Sequence, residues 1–324
     1  MTPSCPARER AGVGRGGGMD GPWGEPVRLP GVIASVHFEH FRCLSGVKLA
    51  LEPLTVLVGP TASGKTAVLE GLQHQLAYES TDFWRQDESR PLSIEWTYAH
   101  GDRTRVEYPF NVMDTLPGQG HSTQQLALSM EALRAGGSSA KATWLERKGG
   151  NLASVFAALP MSTREVISQE LARRVPSVSE VDVARDLEDR SFRLRFRDRW
   201  SPDVWFGPEQ VSDGVLWLLA FLLLPYQRPL PELLTLDEPE RALHPGLVRE
   251  VLELLRAMTR GESTGGQPVQ VVLSTHSPDL LEQVRPEEVR LLAREPSDGS
   301  VRVRQVPAST LHWRRECREL LESL

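Results

Sequence analysis

Apolar and polar positions follow two different rhythms along this chain. From Gly31 the run Gly-Val-Ile-Ala-Ser-Val-His-Phe-Glu-His-Phe alternates, the mark of a half-buried strand. Leu49 to Gly59 then ends in a short, fully apolar run, as a strand at the centre of a sheet should. Between Thr66 and Tyr78, Val68, Leu69, Leu72 and Leu76 recur at helical spacing. Residues 91–110 are two alternating runs around His100-Gly101-Asp102 and predict a hairpin.

The rhythm changes over 111–180. Leu126–Arg134, Lys141–Arg147 and Asn151–Pro160 predict helices separated by Gly- and Ser-rich breaks, and Ser162 with Glu165 reads as a capping box opening another. A second alternating stretch, Phe192 to Trp205, predicts a return to the sheet. The last third alternates strand (Leu233–Asp237), helix (from Pro245, with Gly261 beyond its end), strand (Val269–Ser274) and helix (Ser277 as cap), the order of a parallel sheet. A hairpin over about 288–306 and a C-terminal helix follow. The expected organisation is a tail (1–28), the first part of an α/β core (29–110), a helical insertion (111–190) and the second part of the core (191–324).

Composition narrows this picture only at the ends. Residues 1–28 are rich in Gly, Pro and Arg and are expected to be disordered. Two readings of them stand: a translated ribosome-binding sequence with the start at Met19, or a short RGG-like tail. The net charge of −6 gives no global attraction to nucleic acid or anionic lipid. Three widely spaced cysteines, Cys5, Cys43 and Cys317, suggest neither a metal knuckle nor a disulfide framework, so a reducing cytoplasm is the expected setting. The longest apolar run, Val215–Leu224, is about half the ~20 residues that span a bilayer and reads as a buried helix, so no membrane is expected.

The chemistry begins at Gly59-Pro60-Thr61-Ala62-Ser63-Gly64-Lys65-Thr66, a full match to G-x-x-x-x-G-K-[ST] between a predicted strand and a predicted helix. Glycines let backbone N–H groups turn inward around phosphates, and the helix beginning at Lys65, Thr66 and Ala67 adds its positive end. Lys65 is suited to reach the β- and γ-phosphates and the Thr66 hydroxyl to ligate Mg²⁺.

A second strand, Leu233–Leu236, ends in Asp237-Glu238. Carboxylates delivered to the C-terminal edge of a parallel sheet lie where ligands bind. Asp237 is placed to hold Mg²⁺ through water, and Glu238 to polarise an attacking water as general base. His276 ends a third strand and can bond the γ-phosphate. Ser212 precedes the apolar helix beginning near Gly214 and is a natural N-cap; its hydroxyl, the Gly214 backbone and the helix dipole also form a second phosphate-binding surface.

These four elements in this order resemble the ABC-type P-loop ATPases of the RecF/SMC/OLD branch, often labelled AAA family ATPases. The similarity covers about 31–78 and 205–285: Gly59–Thr66 looks like Walker A, Val211-Ser212-Asp213-Gly214 like the signature motif, Leu233–Pro245 like Walker B and the D-loop, and Val271–Leu281 like the switch-histidine segment. The resemblance implies an α/β fold with N-terminal antiparallel strands and a parallel core, ATP and Mg²⁺ as cofactors, ATP hydrolysis, and a head-to-tail homodimer in which Ser212 and Gly214 complete the partner's site. The sequence departs from the pattern at Thr61, where Asn is usual, at Asp213, which replaces the first signature glycine, and at Arg241, where a small residue is usual. Asp213 would put a carboxylate near the γ-phosphate and slow turnover. A glutamine loop should add a Mg²⁺ contact; Gln86, Gln119, Gln124 and Gln125 are its candidates.

The interval from Lys65 to Ser212 is short and lacks heptads, which excludes the long arms of SMC-type members, and the stretch after His276 lacks the clustered carboxylates of a TOPRIM nuclease. A separate effector partner is therefore expected, in mobile-element defence or DNA repair, with a non-hydrolytic ATP switch restraining a toxin or nuclease as the alternative. A small-molecule kinase would leave Ser212 and His276 unexplained. For nucleic acid, the local signal is Arg193, Arg195, Arg197 and Arg199 on one strand face; pairing with Glu180, Asp182, Asp186, Glu188 and Asp189 is the favoured reading of that stripe.

Overall fold

The computed structural model describes residues 32–73, 79–108, 122–137, 140, 142–186, 190–307 and 312–322. The tail over 1–28, the predicted continuation of the first helix over 74–78, and Gln119 lie outside these residues.

The elements follow the chain as β1 (Ile33–Glu39), β2 (Val47–Ala50), β3 (Leu54–Val58), α1 (Lys65–Gly71), β4 (Leu92–Tyr98), β5 (Arg103–Tyr108), β6 (Thr123–Leu126), α2 (Met130–Arg134), α3 (Leu152–Ala158), α4 (Met161–Arg174), β7 (Val178–Arg185), β8 (Phe192–Asp198), β9 (Trp205–Phe206), α5 (Asp213–Leu223), β10 (Leu233–Asp237), α6 (Pro245–Thr259), β11 (Gln270–Thr275), α7 (Pro278–Leu281), β12 (Val289–Arg294), β13 (Val301–Gln305) and α8 (Trp313–Glu322). They build a six-stranded sheet in the order β13-β12-β3-β11-β10-β6, a four-stranded sheet β2-β1-β4-β5 and a three-stranded sheet β7-β8-β9. In the six-stranded sheet every neighbouring pair is parallel except β12 with β13. The four-stranded sheet is antiparallel throughout.

The two faces of the central sheet bury two apolar cores. β3 shows why its sequence carries no alternation: Leu57 enters the core shared with β1, β4 and α1, while Val56 and Val58 enter the core shared with α5 and α6. Gln270 fastens the antiparallel sheet to the central one, accepting from the Ile33 N–H at 2.9 Å and donating to the Ile33 carbonyl at 2.8 Å. α5 is apolar on all sides because it is buried on all sides, Val215 to Leu223 without exception. α6 is amphipathic instead, burying Val248, Val251, Leu252, Leu255 and Met258 at the i, i+3, i+4, i+7 spacing.

The middle of the chain corrects four expectations. Leu126–Arg134 is not one helix: Leu126 ends β6, an edge strand parallel to β10, and only Met130–Arg134 is helical. Thr123-Gln124-Gln125-Leu126 carries no apolar run, because only Gln124 and Leu126 are buried and one of them is an amide. The described residues of 141–147 form no helix. Much of their backbone bonding goes to side chains, with the Leu145 N–H donating to Gln227 Oε1 and the Trp144 carbonyl accepting from Asn151 Nδ2, while the Arg147 carbonyl accepts from the Ala127 N–H. α4 forms as expected, but Pro160 is its N-cap and Ser162 lies inside the first turn, so no capping box opens it. Finally, Phe192–Trp205 does not rejoin the central sheet; β8 pairs antiparallel with β7, itself a strand inside the expected helical insertion.

Candidate functional site

Parallel pairing brings three loops to one edge. Val58 lies opposite Thr275, and Ser274 opposite Asp237, so the chain leaves β3, β11 and β10 at the same level. Gly59, Glu238 and His276 follow directly. In an open α/β sheet this carboxyl edge is where a ligand is held.

The loop Gly59–Thr66 needs its glycines. A Cβ on Gly59 would stand 2.3 Å from the Leu292 carbonyl oxygen and 2.6 Å from Ser63 Oγ. Gly64 turns with φ +100, where a Cβ would meet Val301 at 2.8 Å and the Cys43 sulfur at 3.1 Å. Ala62 also takes a positive φ, and its carbonyl accepts from Arg294 Nε at 2.8 Å. Lys65 is 7% exposed, and its Nζ donates to the carbonyls of Gly59 at 2.7 Å and Pro60 at 2.8 Å. Burial lowers the Lys65 pKa, and the carboxylates of Glu238, Asp237 and Glu240 oppose that shift. The Ser63 hydroxyl is buried with no hydrogen-bond partner among the described residues, Thr61 and Thr66 are exposed, and Ala67 is buried.

At the neighbouring strand ends Thr66 Oγ1 stands 3.5 Å from Asp237 Oδ2, while Asp237 Oδ1 accepts from Ser274 Oγ at 2.5 Å. Among the described residues no group of three or more His, Cys, Asp or Glu could hold a metal by itself. The oxygen pair Thr66–Asp237 instead fits a hard divalent cation that takes its remaining ligands from water and phosphate. Glu238 adopts φ +49, outside the strand region; its N–H donates to Ser274 Oγ at 3.1 Å and its Oε1 lies 2.9 Å from His276 Nδ1. Glu240, two residues on, is buried and accepts from Thr275 Oγ1 at 2.5 Å, and burial raises its pKa.

Ser212 and Gly214 belong to a different wall. Ser212 is the N-cap of α5, exposed, with no side-chain capping bond. A Cβ on Gly214 would stand 3.0 Å from the Ala242 carbonyl, so α5 begins against the loop that follows Asp237-Glu238. Trp217, one turn along α5, donates from Nε1 to the Pro239 carbonyl at 2.7 Å. Sequence reasoning missed Arg294, Ser274, Thr275 and Trp217. Ser274 and Thr275, inside the apolar strand Gln270–Thr275, were the legible hint, since buried hydroxyls need partners.

The glutamine candidates separate in the structure. Gln124 is buried and clasps Leu145 and Gln227, Gln125 lies opposite Thr235 on β10, and Gln86 is exposed in a 3₁₀ turn. The arginine stripe is engaged within the chain: Arg193 with Glu209 at 3.2 Å, Arg195 with Asp182 at 2.6 Å and Arg197 with Glu180 at 2.9 Å. Arg199 donates to the carbonyls of Ala172 and Val178, and Arg195 and Arg197 lie over the Trp205 ring.

A glycine-rich loop between a buried parallel strand and a helix, facing an acidic strand end, defines a P-loop nucleotide-binding protein. Comparison with known proteins narrows the class. A family model described as "AAA domain, putative AbiEii toxin, Type IV TA system" matches residues 156–282. The thiamine import ATP-binding protein ThiQ of Photobacterium profundum is 44% identical over 73 residues, which are 22% of this chain and 27% of ThiQ. The match thus spans little more than a quarter of that relative. A solved Smc head bound to the C-winged helix domain of ScpA aligns over 85% of this chain and 98% of its own, with TM-score 0.52 and 12% identity. An Smc head from Pyrococcus furiosus, with an extended coiled coil and bound to the C-terminal domain of ScpA, aligns over 84% of this chain and 96% of its own, with TM-score 0.50 and 11% identity. At these identities the structural likeness is one of fold. The chain has a mixed α/β fold with a parallel core like that of the Smc heads, and its residues 156–282 resemble the AAA-domain family.

Proposed function

We propose that the chain binds ATP with Mg²⁺ in the Gly59–Ala67 loop and hydrolyses it as a head-to-tail homodimer, each subunit's Ser212–Gly214 turn closing its partner's site. The observation that carries this reading is the meeting of Lys65, the Thr66–Asp237 oxygen pair and the Glu238–His276 pair at one sheet edge. Lys65 would exchange the carbonyls of Gly59 and Pro60 for phosphate oxygens, with the Ser63 hydroxyl and the N-terminus of α1 completing the cradle. Mg²⁺, held by Thr66 and, through water, by Asp237, would neutralise charge on the β- and γ-phosphates. Glu238 is the general base for the attacking water, and its contact with His276 Nδ1 leaves Nε2, on the far edge of the ring, to meet the γ-phosphate.

The cycle of closing and opening would act on a separate effector or on DNA in a cytoplasmic setting, with mobile-element defence ahead of repair. The toxin–antitoxin wording of the matching family and the ScpA-bound state of the solved heads support a partner of this kind. Among the described residues no helix is long and apolar enough to cross a membrane. The exposed carboxylate of Asp213 in the closing turn favours a second reading, an ATP-held switch that restrains a toxin or nuclease without turnover.

Glu238→Gln tests the assignment. Turnover should fall by about 10²–10⁴-fold, the range of a lost general base, while ATP binding persists. Light scattering should then find an ATP-dependent shift from monomer to dimer. Undiminished turnover would remove Glu238 from the chemistry, and unchanged biological activity would favour the switch.

A further inference from the structure

Arg134 closes α2 directly after the edge strand β6, yet its guanidinium is spent on a distant segment. Nη1 donates to the Pro208 carbonyl at 2.5 Å, and Nη2 to the Val211 carbonyl at 3.2 Å and to Asp213 Oδ1 at 2.5 Å. The acceptors bracket the turn that leads into α5 and contains Ser212. Asp213 keeps 55% of its side chain exposed, so burial does not demand this pairing. A carboxylate at the first position of an eleven-residue helix is already favoured by the helix dipole, so helix stability does not demand it either.

We propose that Arg134 is a positioning residue that makes the Ser212–Gly214 turn competent to close on the triphosphate of a second subunit. The inference rests on the dimer reading above. An unpaired Asp213 carboxylate would repel the γ-phosphate across the closing interface. A guanidinium stays charged at every working pH and spreads its donors over several acceptors, so Arg134 cancels that repulsion and fixes the loop backbone. The bonds to Pro208 and Val211 hold the backbone on the N-terminal side of Ser212, whose own hydroxyl makes no capping bond. Because α2 follows β6, which pairs with β10 beside Asp237, the strand flanking the acidic edge is tied to the surface that acts in trans.

The test is an ATP titration of dimer formation, followed by light scattering, in the Glu238→Gln protein. Adding Arg134→Ala should raise the ATP needed for half-dimerisation by about tenfold or more, the size expected for a lost charge-assisted bond. Asp213→Gly added to that variant should recover the part of the shift due to charge, leaving a remainder from the lost bonds to Pro208 and Val211, and Asp213→Gly alone should lower the midpoint. Arg134→Lys, which keeps the charge without the fork, should fall between. Binding of a fluorescent ATP analogue to dilute monomer should stay constant through the series, whereas a folding defect would weaken it.

An unmoved midpoint in Arg134→Ala overturns the proposal. So does a loss that Asp213→Gly fails to reduce, which would make Arg134 a structural brace alone. If the Glu238→Gln protein forms no dimer at saturating ATP, the dimer reading fails first and the inference falls with it.

Discussion

Glu238 occupies a backbone conformation that strands do not use, φ +49, at a cost of about 1–2 kcal/mol for a residue with a Cβ. The Ser274 hydroxyl holds it there, accepting from the Glu238 N–H while donating to Asp237, so one side chain sets both carboxylates. Two residues on, Glu240 makes a testable case. Burial holds its carboxyl above the ordinary 4.5, so the folded chain binds that proton more tightly than the unfolded chain does. The stabilising contribution is whole below about pH 4.5 and is lost as pH rises toward the raised folded value. Glu240→Gln has no proton to lose there. Denaturant unfolding of the two proteins should therefore diverge in favour of the Gln form as pH rises from about 4.5. Parallel stability curves over that range would refute the assignment.

Among the elements, α6 carries a buried ion pair that periodicity does not announce. Arg256 and Glu288 each keep 8% of their side chains exposed and meet through two bonds, Nε to Oε1 at 3.1 Å and Nη2 to Oε2 at 2.8 Å. Arg256→Ala would strand the Glu288 carboxylate and should cost about 3–5 kcal/mol in an unfolding titration, while Arg256→Met with Glu288→Leu should recover most of it. If the single variant cost under about 1 kcal/mol, the pair would not be buried in solution. Elements with one clear period were legible in the sequence: β1, the hairpin β4–β5, and the β10–α6–β11 alternation follow their patterns. β6 was not, because an edge strand with a buried amide lacks both the alternation and the apolar run that mark strands. Likewise 142–147 carries helix-forming residues, but its backbone is held by Asn151 just beyond it and by the remote Gln227, the latter a tertiary demand no local window contains. The site was legible where residues act at fixed spacing, as in Gly59–Thr66 and Asp237-Glu238. It was illegible where the partner is remote, as with Arg294 beneath Ala62 and Arg134 beside Asp213.

For the molecule as a whole, the three-stranded sheet packs Val178, Val181, Leu194 and Phe196 into the main apolar core, and its arginine stripe is engaged within the chain. Arg197 pairs with Glu180 and stacks on Trp205, so its loss should change affinity for duplex DNA less than about twofold at physiological salt, as expected of a side chain that neutralises no phosphate. A marked drop, together with a shallower salt dependence, would make this sheet a nucleic-acid surface. The bond between Trp217 and the Pro239 carbonyl has a wider consequence. It runs from the buried body of α5, whose N-terminal turn would face a partner subunit, to the loop that carries the chain's own Glu238, so movement of one strains the other. In a two-site assembly that mechanical link would let the arrival of one subunit retime the water-splitting step in its neighbour.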